Sequence, residues 1–160
     1  MTLAIEFRLL PLDRLKVHEE VVPERVDELV REIRHRGEVE EPILVARDSH
    51  VILNGHHRFA ALRRIGARWV PAWVVEYDDP AIQLERWYEG PPLTKREVVA
   101  RANSGRPFSP KTTRHVVESP LPARPTPLAE LLPAAPKVRR SRAHASAESS
   151  EARVGGPPSD

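Results

Sequence analysis

The hydrophobic period of the first 77 residues alternates between strand-like and helical runs, and this alternation restricts the chain to a mixed α+β domain. Ala4 to Leu10 (AIEFRLL) reads as a strand, and Pro11 to Lys16 turns away from it. From Pro23 the apolar residues Val26, Leu29, Val30 and Ile33 follow i, i+3, i+4, i+7 spacing, one face of a helix that Pro23 opens and Gly37 stops. Ile43 to Ala46 and His50 to Leu53 flank the polar Arg47-Asp48-Ser49 and read as a hairpin. A second helix begins just after Gly55 and stops at Gly66, with Phe59, Leu62 and Ile65 toward the core. Val70 to Tyr77 is a further strand whose start Pro71 places at an edge or bulge. Beyond it, Ala81 to Glu89 reads as a short helix. Thr94 to Ser104 reads as a better marked one, with Thr94 and Glu97 forming a capping box and Gly105 the stop. Pro107 to His115 (PFSPKTTRH) reads as a polar loop that closes the ordered part.

Composition divides the 160 residues in two. Eight of the 17 prolines fall in the last 42 residues, which hold no aromatic side chain, so residues 1–118 are expected to form the domain and 119–160 a disordered Pro/Ala/Ser/Arg-rich tail. Within that tail Leu128 to Leu132 suits docking as a short apolar peptide. Residues 1–118 carry 19 basic and 19 acidic side chains, and the tail six and four, so the net +2 belongs to the tail. A charge-neutral domain argues against duplex DNA as its primary partner and leaves weak nucleic-acid contact to Lys137–Arg142 (KVRRSR). Without cysteine there is no disulfide, Cys-ligated metal or thiol nucleophile. No apolar run reaches the roughly 20 residues of a membrane span, and the first residues lack a signal peptide's order, so a cytoplasmic, membrane-free chain is expected.

Polar residues concentrate in three places. Asn54-Gly55-His56-His57-Arg58 lies between a strand and a helix. Glycine there permits close backbone approach, the first-turn N–H groups attract anions and Arg58 adds a charged fork, a phosphate cradle. The same residues also suit a plain helix start with two solvated histidines. Adjacent His56 and His57 diverge on a helix and do not make a metal site by themselves. His18-Glu19-Glu20 precedes the first helix, where carboxylates suit taking a proton from a hydroxyl, helping to hold magnesium, or simply facing the helix dipole. Ser109 to His115 places donor-capable side chains behind two stiffening prolines, suited to phosphate or carboxylate oxygens.

The order strand, HEEVVPERVDELVREIRHRG, EEPILV, HVILNGHHRFAALRRIGARWVPAWVVEY resembles the ParB/sulfiredoxin superfamily over residues 5–77, which implies a mixed sheet with packed helices. HEEV at 18–21, GHHR at 55–58 and PKTTRH at 110–115 together are similar to the free L-serine kinases, among them the siderophore-associated serine kinase. That resemblance implies phosphoryl transfer from ADP or ATP to free serine, giving O-phospho-L-serine for cysteine or siderophore-precursor synthesis. It implies Glu19 as general base and Gly55, His56, His57 and Arg58 with Lys111, Thr112 and Thr113 around the phosphates and nucleotide. It further implies Asn54, Trp87, Thr113, Arg114 and His115 toward the amino acid, and magnesium held mainly by nucleotide phosphates rather than by a protein metal site. Asn54 departs from the Asp of the kinases' box and supplies no charge there. Sulfiredoxin needs a cysteine where this chain has His56. ParB partition proteins carry an Glu-Arg-Arg type box and a following helix-turn-helix, of which nothing is visible. The alternative function is a ParB-like nucleotide-binding regulatory or DNA-associated module without kinase activity.

Overall fold

Seven consecutive residues, Trp69 to Val75, form the central strand on which the other elements are assembled. The computed structural model of the protein describes residues 3–134. Along them run β1 (Glu6–Pro11), α1 (Pro23–Arg36), β2 (Glu38–Val39), β3 (Ile43–Ala46), β4 (Ile52–Asn54), α2 (His56–Ile65), β5 (Trp69–Val75), β6 (Ile82–Arg86), α3 (Lys95–Ser104), β7 (Thr113–Val117) and β8 (Thr126–Pro127). The main sheet has the order β1-β5-β3-β4, antiparallel except for the parallel β5–β3 pair. The expected α+β architecture is therefore present.

Alternation along the strands divides the core between two faces. Ile43, Val45, Val70 and Ala72 face Val26, Val30 and Ile33 of α1 and Phe59 and Leu62 of α2. Leu44, Ala46, Trp73 and Val75 face Ile82 of β6 and Val98 and Ala102 of α3. Arg64 and Asp27 form an ion pair between α2 and α1. Pro71 lies inside β5 in sequence, yet at its position only β1 is alongside, opposite Leu9, because the β3 ladder begins one residue later at Ile43–Ala72. The missing N–H thus falls where the strand is locally an edge. The two long helices, the hairpin and the Thr94–Glu97 capping box lie where the sequence places them.

Three expectations change. Ala81–Glu89 is not helical: Ile82–Arg86 is β6, paired antiparallel with β7 from Ile82–Val117 to Arg86–Thr113. Its period-two pattern, with Ile82 buried, Gln83 and Glu85 exposed and Leu84 between, wins once a partner 30 residues away supplies the hydrogen bonds. Pro107–His115 does not end the ordered part, since Thr113 opens β7 and Phe108 pairs with the 18–20 segment. The disordered tail expected from 119 starts too early, because residues 119–134 pack on the domain. β8 pairs with β2, Trp73 Nε1 donates to the Pro122 carbonyl at 3.1 Å, and Leu131 is fully buried in the α1–α2 core. The Leu131 carbonyl accepts from the Arg68 and Trp69 amides at 2.7 and 3.1 Å. Proline lowers the entropy lost on fixing such an extended segment, so a few anchors hold it. The remaining tail, 135–160, with the basic Lys137–Arg142, lies outside the described residues.

Leu131→Ala is expected to lower unfolding free energy by about 2–5 kcal/mol, while Leu132→Ala next to it, partly exposed, changes little. Urea titration of both variants checks this.

Candidate active site

The site is built where β4 hands over to α2. Gly55 has φ +103°, and a Cβ there would lie 2.5 Å from Ile43 Cγ2, so both backbone and space demand glycine at this turn. No side chain caps α2, which leaves the first-turn N–H groups of His56, His57 and Arg58 without intrahelical acceptors. Such an end takes an anion readily. Asn54 is exposed at the last position of β4, beside this end.

The side chains of the box do less of what the sequence suggests than its backbone does. His56 turns inward, and its Nε2 accepts the His18 N–H at 3.2 Å. His57 is half-buried, and its Nε2 accepts the Val22 N–H at 2.9 Å, tying the start of α1 to α2. Arg58 is mostly buried, with Nη1 3.5 Å from the Pro42 carbonyl and Nη2 3.9 Å from Glu41 Oε1. It lines a cavity of about 150 Å³ in which Arg25 and Arg36 of α1 are mixed with Glu32, Glu38, Glu40 and Glu41. The Arg25 charge is close enough to depress the pKa of His57 and of Arg58, for both of which burial is the larger cause.

Glu19 is the other centre. Its Oε1 accepts the Lys111 N–H at 3.0 Å, and its Oε2 accepts the Thr113 N–H at 2.9 Å and the Thr113 hydroxyl at 2.8 Å. Lys111 adopts φ +59°, and this left-handed residue aims the amides at 111 and 113 at one point, a nest for a carboxylate. Reciprocal backbone bonds, Phe108 N–H to the His18 carbonyl and Glu20 N–H to the Phe108 carbonyl, both 2.8 Å, hold the two segments together. Burial is the main cause that lowers the His57 pKa, with smaller electrostatic contributions from Arg25, Glu19 and Lys111.

Behind Glu19 lies a layer of neutral histidines. His18, fully buried, meets Thr113 Oγ1 through Nε2 at 2.9 Å and stacks edge-on against His56 and His115 with ring centroids 4.5 and 5.7 Å away. His115 Nε2 is 2.6 Å from the Tyr77 hydroxyl. Burial is the main cause holding all three below the usual histidine pKa, with His115 at about 3, and it raises the Tyr77 phenol.

The structure thus brings together Glu19, Lys111, Thr113, His57 and the α2 backbone, and separates others. His115 points into the histidine layer. Arg114, one residue along β7, faces the opposite side, as strand alternation requires. There it pairs with Glu85 at 3.6 Å and stacks on Trp87, which is 51% exposed. Thr112 closes its own turn by donating to the Ser109 carbonyl at 2.7 Å. Sequence reasoning passed over the Tyr77 hydroxyl, Arg25 and the pairing role of Phe108. Arg25 sits on the first turn of α1, a signal that a helix-end reading could have used.

An uncapped helix end after a tight glycine turn, set in an α+β domain, is a geometry suited to an anion. Residues 4–85 match the ParB N-terminal domain, and the chain belongs to that family. It is similar to the ATP-dependent L-serine kinase of Staphylothermus marinus, 39% identical over 88 residues that cover 52% of this chain and 35% of the relative. With the ADP-dependent L-serine kinase of Thermococcus kodakarensis it shares 28% identity over 104 residues, 62% of this chain and 43% of that one. The chain therefore spans well under half the length of these curated relatives. A solved free serine kinase in complex with AMP shares the fold, with a TM-score of 0.71 at 17% identity over 82% of this chain and 95% of the other.

Two outcomes follow from this geometry. Gly55→Ala forces strain and a clash with Ile43 and is expected to destabilise by at least about 2 kcal/mol in urea unfolding. The buried histidines bind protons more readily unfolded than folded, so their contribution is full above about pH 6.5. It is lost as pH falls from there toward about 3, the folded value of His115. The expected slope is up to about 1.4 kcal/mol per pH unit for each histidine. Unfolding titrations between pH 8 and 4 measure it, and a flat stability profile contradicts the neutral layer.

Proposed function

We propose that the protein transfers a phosphoryl group from ADP or ATP to the hydroxyl of free L-serine. The observation that carries this reading is the convergence of a gripped, partly exposed Glu19 carboxylate with Lys111 and the open amino end of α2. Similarity to L-serine kinases of both donor types supports it.

In the reaction the serine Oγ attacks the terminal phosphorus, the bond to the bridging oxygen of the nucleotide breaks, and the hydroxyl proton passes to Glu19. Phosphoryl transfer depends on positioning and charge neutralisation. The α2 amides bind phosphate oxygens, Lys111 and Arg58 supply positive charge, and Arg25 lies next to them. His57 keeps the first turns of α1 and α2 in register through Val22. Among the described residues no three His, Asp or Glu side chains are placed to hold a metal. Magnesium fits as an ion carried on the nucleotide phosphates, where it screens their charge. No helix among the described residues is long and apolar enough to cross a membrane, and a cytoplasmic enzyme drawing on free nucleotide and free amino acid accords with this reading.

The purified chain with magnesium, L-serine and either nucleotide is expected to yield O-phosphoserine, identified by mass spectrometry. Absence of product with both nucleotides overturns the reading and leaves a nucleotide-binding module. Glu19→Gln is expected to cut turnover about 100- to 10,000-fold, the range of a lost general base. Nucleotide affinity, which rests on α2 and the basic side chains, should change little by calorimetry.

A further inference from the structure

We propose that His18 is a positioning residue that fixes the Glu19 carboxylate through the Thr113 hydroxyl, an inference that rests on Glu19 being the base. The direction of each hydrogen bond follows from proton counting. The Thr113 hydroxyl has one proton and lies 2.8 Å from Glu19 Oε2, which as a carboxylate oxygen has none to give. That proton therefore goes to Glu19. The same hydroxyl oxygen lies 2.9 Å from His18 Nε2, so it must accept there, and Nε2 carries the hydrogen. A neutral ring protonated at Nε2 has a bare Nδ1; His18 Nδ1 is buried and makes no hydrogen bond of good geometry, and the Ile52 carbonyl near the ring is the acceptor that competes for its proton.

The ring is held in place. His18 is fully buried, its own N–H is held by His56 Nε2 at 3.2 Å, and His56, Phe108 and His115 enclose it edge-on. The consequence reaches the reactive oxygen. Oε2 of Glu19 is saturated by the Thr113 N–H and O–H, whereas Oε1 accepts only the Lys111 N–H and keeps a lone pair. Oε1 is thus the atom that takes the serine proton, and the inward His56 of the phosphate box serves it indirectly by holding His18.

The test uses the full chain. In His18→Leu the Thr113 hydroxyl loses the donor that orients it. The expected result is a fall in kcat of about 10-fold or more with the nucleotide KM within about twofold. His18→Gln, which returns an N–H near the Nε2 position, should recover most of the rate. His18→Leu in a Thr113→Val background should add almost nothing. Additive losses, or a His18→Leu variant that keeps wild-type kcat, overturn the proposal.

One measurement does not depend on turnover. Nitrogen NMR should find His18 protonated at Nε2. Protonation at Nδ1 overturns the positioning role, whether or not the chain makes phosphoserine. Absence of phosphoserine with this NMR result intact sinks only the kinase reading.

Discussion

A carboxylate from residue 19 is held by amides from residues 111 and 113, and the site depends on that one contact. Residues far apart in the chain meet there. The Glu19 segment and the Lys111–Thr113 loop are both irregular backbone, and neither would keep its shape alone. Charge-assisted hydrogen bonds are about twice as strong as neutral ones, and the reciprocal Phe108 bonds hold the strands of backbone in place around them. β7 then runs directly out of the gripped loop to pair with β6. The position of the second small sheet is therefore set by the same grip.

Beneath the carboxylate the chain keeps its histidines neutral. Burial disfavours the charged ring, and rings beside one another disfavour it further. A neutral layer does not compensate the Glu19 charge, which is met instead by the Lys111 and Thr113 backbone N–H groups and the Thr113 hydroxyl. The polarity of the site thus runs outward. Apolar and neutral groups lie behind Glu19, and the charged side chains Arg25, Arg58 and Glu41 lie nearer the surface.

Much of the fold is legible in the sequence where the signals are local. Pro23 and Gly37 bracket α1, Gly55 and Gly66 bracket α2, and Thr94 with Glu97 opens α3, because caps and left-handed stops act within a turn of the residues that encode them. β6 looks helical in sequence because its strand identity depends on β7, with which it pairs from Ile82–Val117 to Arg86–Thr113. Leu131 likewise shows its role only through the Arg68 and Trp69 amides and the core beneath them. A proline-rich composition suggested disorder from residue 119, and anchors unrelated to composition decided otherwise as far as residue 134.

For the site, the sequence by itself determined the residue types and the two local devices. These are the glycine turn that leaves an open helix end, and a carboxylate with a donor-rich loop to receive it. Only the tertiary structure decided which way each side chain faces. His56 and His115 go inward because the packed sheet offers them partners in His18 and Tyr77. Arg114 goes outward because strand alternation puts it opposite to Thr113. Local sequence encodes backbone turns within a few residues, whereas side-chain direction is settled by partners that only long-range packing brings near.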